Sequence, residues 1–126
     1  MQYMQQQNIR LLATSVLASL AFVFCMVVGK AQATPCEAEP TDMSVGYGER
    51  IECDITPGTD TDVYRFSGVT GDRILAEAVW VSGGSFNPRI KLIAPDGSVL
   101  GDTWSPARLD IVLSQAGIYT AIISDD

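Results

Sequence analysis

Asp60-Thr61-Asp62-Val63-Tyr64-Arg65-Phe66-Ser67-Gly68-Val69-Thr70-Gly71-Asp72-Arg73 is the stretch whose reading decides the fold. Tyr64 and Phe66 lie two apart, so on a strand they share one face while Val63 and Arg65 share the other. Aromatic residues at that spacing are the expected buried face of an antiparallel strand. Ser67 to Asp72 then turn the chain, with Gly68 and Gly71 supplying conformations that other residues resist. The longest run in the chain, 73–81, follows. Ile74, Ala76, Ala78 and Trp80 face one way and Leu75, Glu77, Val79 and Val81 the other. Alanine and leucine would permit a helix there, but Val79, Trp80, Val81 and the flanking glycines favour a strand.

Working outward, the same alternation recurs between turns. Met43, Val45 and Tyr47 give a weak strand, and Ile51, Cys53 and Ile55 a better one, with Arg50, Glu52 and Asp54 on its other face. Thr56-Pro57-Gly58-Thr59 is a turn by composition. Beyond a flexible loop at 82–85, Ile90, Leu92 and Ala94 point inward and Arg89 and Lys91 outward. Pro95-Asp96-Gly97-Ser98 is the clearest hairpin signal, with Val99 and Leu100 starting the return strand. Residues 102–106 read as a loop holding Trp104. Leu109, Ile111 and Leu113 mark another strand, and Tyr119, Ala121 and Ile123 the last. About seven short strands with turn signals between them predict an all-β fold, an antiparallel β-sandwich.

The first third reads differently. Arg10 precedes an almost continuously apolar run over 11–29, and Ala31-Gln32-Ala33 presents small residues where a signal peptidase reads. Residues 1–33 are therefore predicted to be a signal peptide cut before Thr34, giving a protein that is secreted, periplasmic or held at the cell surface. The competing reading is a retained anchor, because this run of 19 residues, diluted by Thr14, Ser15 and Ser19, approaches the length that spans a bilayer. Residues 34–42, rich in Pro, Glu and Ala, read as an exposed lead-in. The domain proper is assigned to 43–126.

Removing the first 33 of 126 residues leaves 93, a small domain with a limited core. Of 8 basic residues, Arg10 and Lys30 leave with the leader, so six face 15 acidic ones, a formal charge of −9. That charge argues against nucleic acid or anionic lipid as a partner. Cys25 belongs to the leader. Cys36 and Cys53 remain, and two cysteines in an exported chain are expected to form one disulfide; two free or metal-binding thiols are the alternative.

The chain contains no histidine, which removes Ser-His-Asp and Cys-His catalysis and the usual zinc sites. Neither a P-loop nor a dinucleotide fingerprint is present. Paired carboxylates hydrolyse glycosides, but most acids here sit beside Gly, Ser or Thr in turns, which they stabilise locally. Calcium is the more credible chemistry: Asp60 and Asp62 lie two apart at a loop-to-strand junction, and Glu37, Glu39 and Asp42 stand in the lead-in. Solvated turn acids are the plainer account of the same residues. Among the aromatics, Tyr64, Trp80 and Tyr119 fall on inward faces, whereas Trp104, in a polar loop, is the candidate ligand contact.

Three segments together resemble the bacterial pre-peptidase C-terminal domain family: residues 60–73, then Asn87-Pro-Arg-Ile-Lys-Leu-Ile-Ala-Pro-Asp-Gly-Ser98, then Ala116-Gly-Ile-Tyr-Thr-Ala-Ile-Ile-Ser-Asp125. The resemblance spans roughly residues 43–126. It implies a jelly-roll-like β-sandwich, an accessory module of secreted hydrolases and surface proteins that is not itself catalytic. In collagenases the related domains bind collagen and take calcium near the N-terminal linker; here Asp60 and Asp62 match the family's acidic pair, and the lead-in acids do not align. Family members usually follow the Gly-x-Tyr strand with a closing strand, so a chain ending at Asp126 reads as a fragment or truncated product. Its last strand is then expected to leave an open edge prone to self-association.

The function expected from all this is a secreted, non-catalytic module that binds an extracellular protein or polysaccharide. A purely structural surface or envelope component without a ligand is the alternative.

Overall fold

The computed structural model describes residues 6–14, 32–56, 58–83 and 85–125, and these contain no helix. The strands are β1 (Gln6–Thr14), β2 (Thr34–Pro35), β3 (Asp42–Ser44), β4 (Arg50–Asp54), β5 (Thr61–Gly68), β6 (Arg73–Ser82), β7 (Pro88–Ile93), β8 (Val99–Trp104), β9 (Ala107–Val112) and β10 (Gly117–Asp125). They form two five-stranded sheets, ordered β2-β4-β1-β6-β9 and β3-β5-β10-β7-β8. Residues from both sheets bury their side chains in one continuous core, so the all-β sandwich expected from the alternation is the fold.

Alternation produces this core directly. Ile51 and Cys53 of β4, Tyr64 and Phe66 of β5, Ile74, Ala76 and Ala78 of β6, Ile90 and Leu92 of β7, and Tyr119, Ala121 and Ile123 of β10 are all buried. β10 runs antiparallel to β5 with Tyr119 opposite Phe66 and Ala121 opposite Tyr64. The Phe66 and Tyr119 rings stack with centroids 5.4 Å apart, a pairing that adds about 1 kcal/mol to what burial alone provides. The Tyr119 hydroxyl donates to the Gln115 carbonyl at 2.7 Å, pinning the turn that enters β10.

Four features depart from the sequence expectations. The first is β1. Gln6–Thr14, read as the start of a leader, lies inside a sheet between β4 and β6, antiparallel to both. The apolar stretch at 15–31, on which the leader and anchor readings turn, lies outside the described residues; within those described, no helix is long and apolar enough to cross a membrane. Secondly, β10 leaves no open edge, because it is hydrogen-bonded to β5 on one side and β7 on the other. Thirdly, Trp80 is half exposed: the inward alternation of β6 ends at Ala78, where the strand runs past the core. Fourthly, residues 102–104 continue β8, so only Ser105-Pro106 turns the chain into β9.

Gly68 is needed for space. A Cβ there would collide with the Leu113 side chain and come within 3.0 Å of the Tyr119 ring. Gly71, by contrast, has φ +93°, the left-handed region that glycine tolerates.

The β7–β8 hairpin closes as its sequence predicts. Gly97 adopts φ +85°, and its N–H donates to the Ala94 carbonyl at 2.9 Å. Asp96 Oδ1 accepts from the Ser98 N–H at 2.9 Å and from its hydroxyl, while Oδ2 accepts from Gln115 Nε2 at 2.7 Å. The hydrogen bonds from Ser98 lower the Asp96 pKa from 3.8 to about 2. A carboxyl with a depressed folded pKa stabilises the fold above its unfolded value and loses that contribution as pH falls through the folded one. Asp96 is therefore expected to titrate near 2 by NMR, and Asp96→Asn to flatten the fall in stability between pH 4 and 2. An Asp96 titration at 3.8 would refute the role of the Ser98 hydrogen bonds.

Candidate functional site

The lead-in and the start of β5 meet at one corner of the sandwich, fastened by the disulfide between Cys36 and Cys53 (Cα–Cα 5.3 Å). Cys53 is buried on the inward face of β4, so the bridge ties residues 34–42 to the core as its parity predicts. Closing a loop of this length stabilises a domain by about 3 kcal/mol in the chain-entropy model. The lead-in is less exposed than expected. Thr41 is buried, and its carbonyl accepts from the Val63 N–H at 3.0 Å, which docks the segment along β5.

Asp62 follows the parity of Tyr64 and Phe66 and is completely buried. The Tyr64 hydroxyl donates to Asp62 Oδ2 at 2.8 Å and lies 2.7 Å from Cys53 Sγ. Burial, and then the negative charge of Asp62, push the Tyr64 hydroxyl far above its ordinary pKa, so it stays a hydrogen-bond donor throughout the working pH range. Asp60, just before the strand, presents Oδ1 to the Thr61 N–H at 2.9 Å. Its Oδ2 is buried and accepts no hydrogen bond among the described residues.

Glu39 completes the group. Its carboxylate accepts from the Thr41 N–H at 2.9 Å and from the Thr41 hydroxyl at 3.0 Å, which holds it beside the two aspartates. Glu39, Asp60 and Asp62 each offer an oxygen, and these oxygens lie within 4.8 Å of one another. Next to them an open depression of about 320 Å³ is lined by Glu37, Glu39, Glu52 and Asp54 around the disulfide. Three carboxylates at that separation repel. Their donor set is all oxygen, the buried Asp60 Oδ2 has no hydrogen-bond donor among the described residues, and the two neighbouring sulfurs are tied up in the disulfide. That combination suits a hard cation with a flexible shell, calcium above all, with water filling the open side. Sequence had singled out Asp60 and Asp62, with Glu37, Glu39 and Asp42 as lead-in acids that could join them. Of these the structure brings Glu39 to the pair, while Asp42 turns away to pair with Arg65.

A second cluster lies at the end of the sandwich where β6 and β8 finish. Trp80, Phe86, Pro88, Ser105 and Pro106 line an open groove of about 350 Å³. Trp104 stands immediately before this turn, 45% exposed, with the Arg89 guanidinium 4.6 Å from its ring centroid. Arg89 is itself held by a bidentate pair with Asp102 at 2.8 and 2.9 Å. Its guanidinium lowers the pKa of Asp102, which keeps the pair ionised. Two half-exposed indoles and a fixed cation thus share one end of the molecule. Trp104 is the contact residue that sequence singled out. Trp80 was missed, because strict alternation assigned it to the core.

Calorimetry with calcium chloride is expected to show binding, and calcium at about 100 times Kd to raise Tm on the order of 10 °C. Asp60→Asn, which leaves the buried Asp62–Tyr64 pair intact, should remove both effects. No heat and no shift with millimolar calcium would eliminate the cation site. Comparison with family models, curated proteins and solved structures finds no match to this chain.

Proposed function

We propose that the chain is an exported, non-catalytic binding module, similar to the pre-peptidase C-terminal domains, that attaches to an extracellular protein or polysaccharide through its aromatic end. The observation that carries this reading is the pair of half-exposed indoles, Trp80 and Trp104, at one end of the sandwich. Indoles stack on sugar rings and proline-rich backbones at low entropic cost, and the groove beside Trp80 gives an extended chain a place to lie. The Arg89 guanidinium, paired with Asp102 and stacked on the Trp104 ring, holds that indole in place for contact.

Export is supported by the Cys36–Cys53 bridge, since disulfides persist in oxidising compartments. The excess of acidic over basic residues favours neutral or cationic partners over nucleic acid and anionic membranes. Calcium at Glu39, Asp60 and Asp62 has a structural part in this proposal: it fixes the lead-in on β5.

Tryptophan fluorescence titrated with fibrillar collagen and with soluble glucans and chitin oligomers should show saturable quenching for one ligand class. Trp80→Ala and Trp104→Ala should each weaken that binding by about 10-fold or more, with Tm nearly unchanged because both side chains are half exposed. Unaltered fluorescence across the whole panel would overturn the reading and favour a structural component without a ligand. N-terminal sequencing of exported material is expected to begin at Thr34; a start at Met1 would refute processing.

A further inference from the structure

Strands β4 and β6 lie in the same sheet without touching each other's backbone; β1 fills the place between them. Gln6–Arg10 pairs with Asp54–Arg50, and Gln6–Thr14 pairs with Ser82–Arg73. Leu11 is fully buried, opposite Ala76, and its carbonyl accepts from the Gly48 N–H. Ile9 is in register with Ile51 and Ala78, and Ala13 with Ile74. The floor of the slot is thus apolar, and the alanines at 76 and 78 leave depth for a larger side chain from the strand between.

The strand in this slot comes from ahead of Thr34. All others come from Thr34 onward. A cut before Thr34 would leave β4 with only the two-residue parallel pairing to β2, and β6 with β9 alone. Two facing rows of backbone donors and acceptors would then flank an apolar trough, an arrangement that costs free energy until another strand satisfies it.

We propose that this slot is a strand-acceptor site, and that its occupant after processing is an extended segment of a partner protein. That segment is about nine residues long, runs antiparallel to β4 and β6, and carries apolar side chains at alternate positions, as Gln6–Thr14 does. Main-chain hydrogen bonds to both flanking strands supply the affinity, and the apolar floor at Ile51, Ala76 and Ala78 selects apolar side chains. A second processed copy is a poor donor, because the cut that opens its slot also removes its own Gln6–Thr14, and its central strands are already paired. The inference rests on the processing before Thr34 proposed above. It also converts that processing from simple trimming into the step that makes the module competent to attach.

The test separates the two ideas by supplying the cut in vitro. A site-specific protease sequence is placed ahead of Thr34 in the full chain, the folded protein is cut, and a fluorescein-labelled peptide of residues 6–14 is added. Fluorescence anisotropy should show saturable uptake by the cut chain and none by the uncut chain. The same peptide carrying Leu11→Asp should bind about 100-fold more weakly, since its charge would enter the apolar floor. If release of the N-terminal fragment unfolds the domain, refolding restored by the wild-type peptide and not by Leu11→Asp supports the site equally. Failure of the cut chain to take up the peptide, before or after refolding, overturns the slot, as does equal binding of both peptides. A Met1 start in exported material would remove the processing alone and leave a positive peptide result standing.

Discussion

Backbone hydrogen bonding at the centre of a sheet is the constraint on which this structure depends. Every N–H and C=O shielded from water needs a partner, and β6, at ten residues, presents a long row of them on each side. One row is met by β9 and the other by β1. The core behind β6 can be dry only because both rows are satisfied: Ile74, Ala76 and Ala78 are buried under a continuous sheet. What the β1 position needs is an extended chain with an apolar side chain where Leu11 is buried, and such a strand can come from far away in sequence.

The acidic corner shows how a small domain handles polar burial. Asp62 is completely enclosed, yet it receives the Tyr64 hydroxyl, which also touches the disulfide. One phenol thereby joins the lead-in, β4 and β5. The like charges of Glu39 and Asp60 crowd the same place, and holding them there without a counter-ion would oppose folding. A cation would turn that repulsion into a clasp.

The sandwich was legible because period-two alternation survives in nearly every strand. Tyr64, Phe66, Ile90, Leu92, Tyr119 and Ile123 are all buried where parity placed them. What parity could not supply was where a strand outruns the core. Trp80 keeps the inward phase of Ala78 but lies beyond the facing sheet, so its indole meets solvent. Trp104 was recognised as exposed although it ends a strand, since outward positions on an edge strand look like loop. At the acidic corner, Asp62 shares the parity of Tyr64, so its burial was readable. The arrival of Glu39 was not, because it depends on how Thr41 docks the lead-in onto β5. β1 was the largest surprise: the alternation of Ile9, Leu11 and Ala13 runs straight into the apolar stretch over 11–29 and reads as part of a leader, and its place is set by the vacancy between β4 and β6.

The disulfide also has a consequence for fraying. β2 holds β4 by only two paired residues, so hydrogen bonds alone would let the lead-in fray from the sheet. With Cys36 bonded to Cys53, fraying stops at the two residues of β2, and residues 37–52 become a closed loop with both ends fixed to a buried strand of the core.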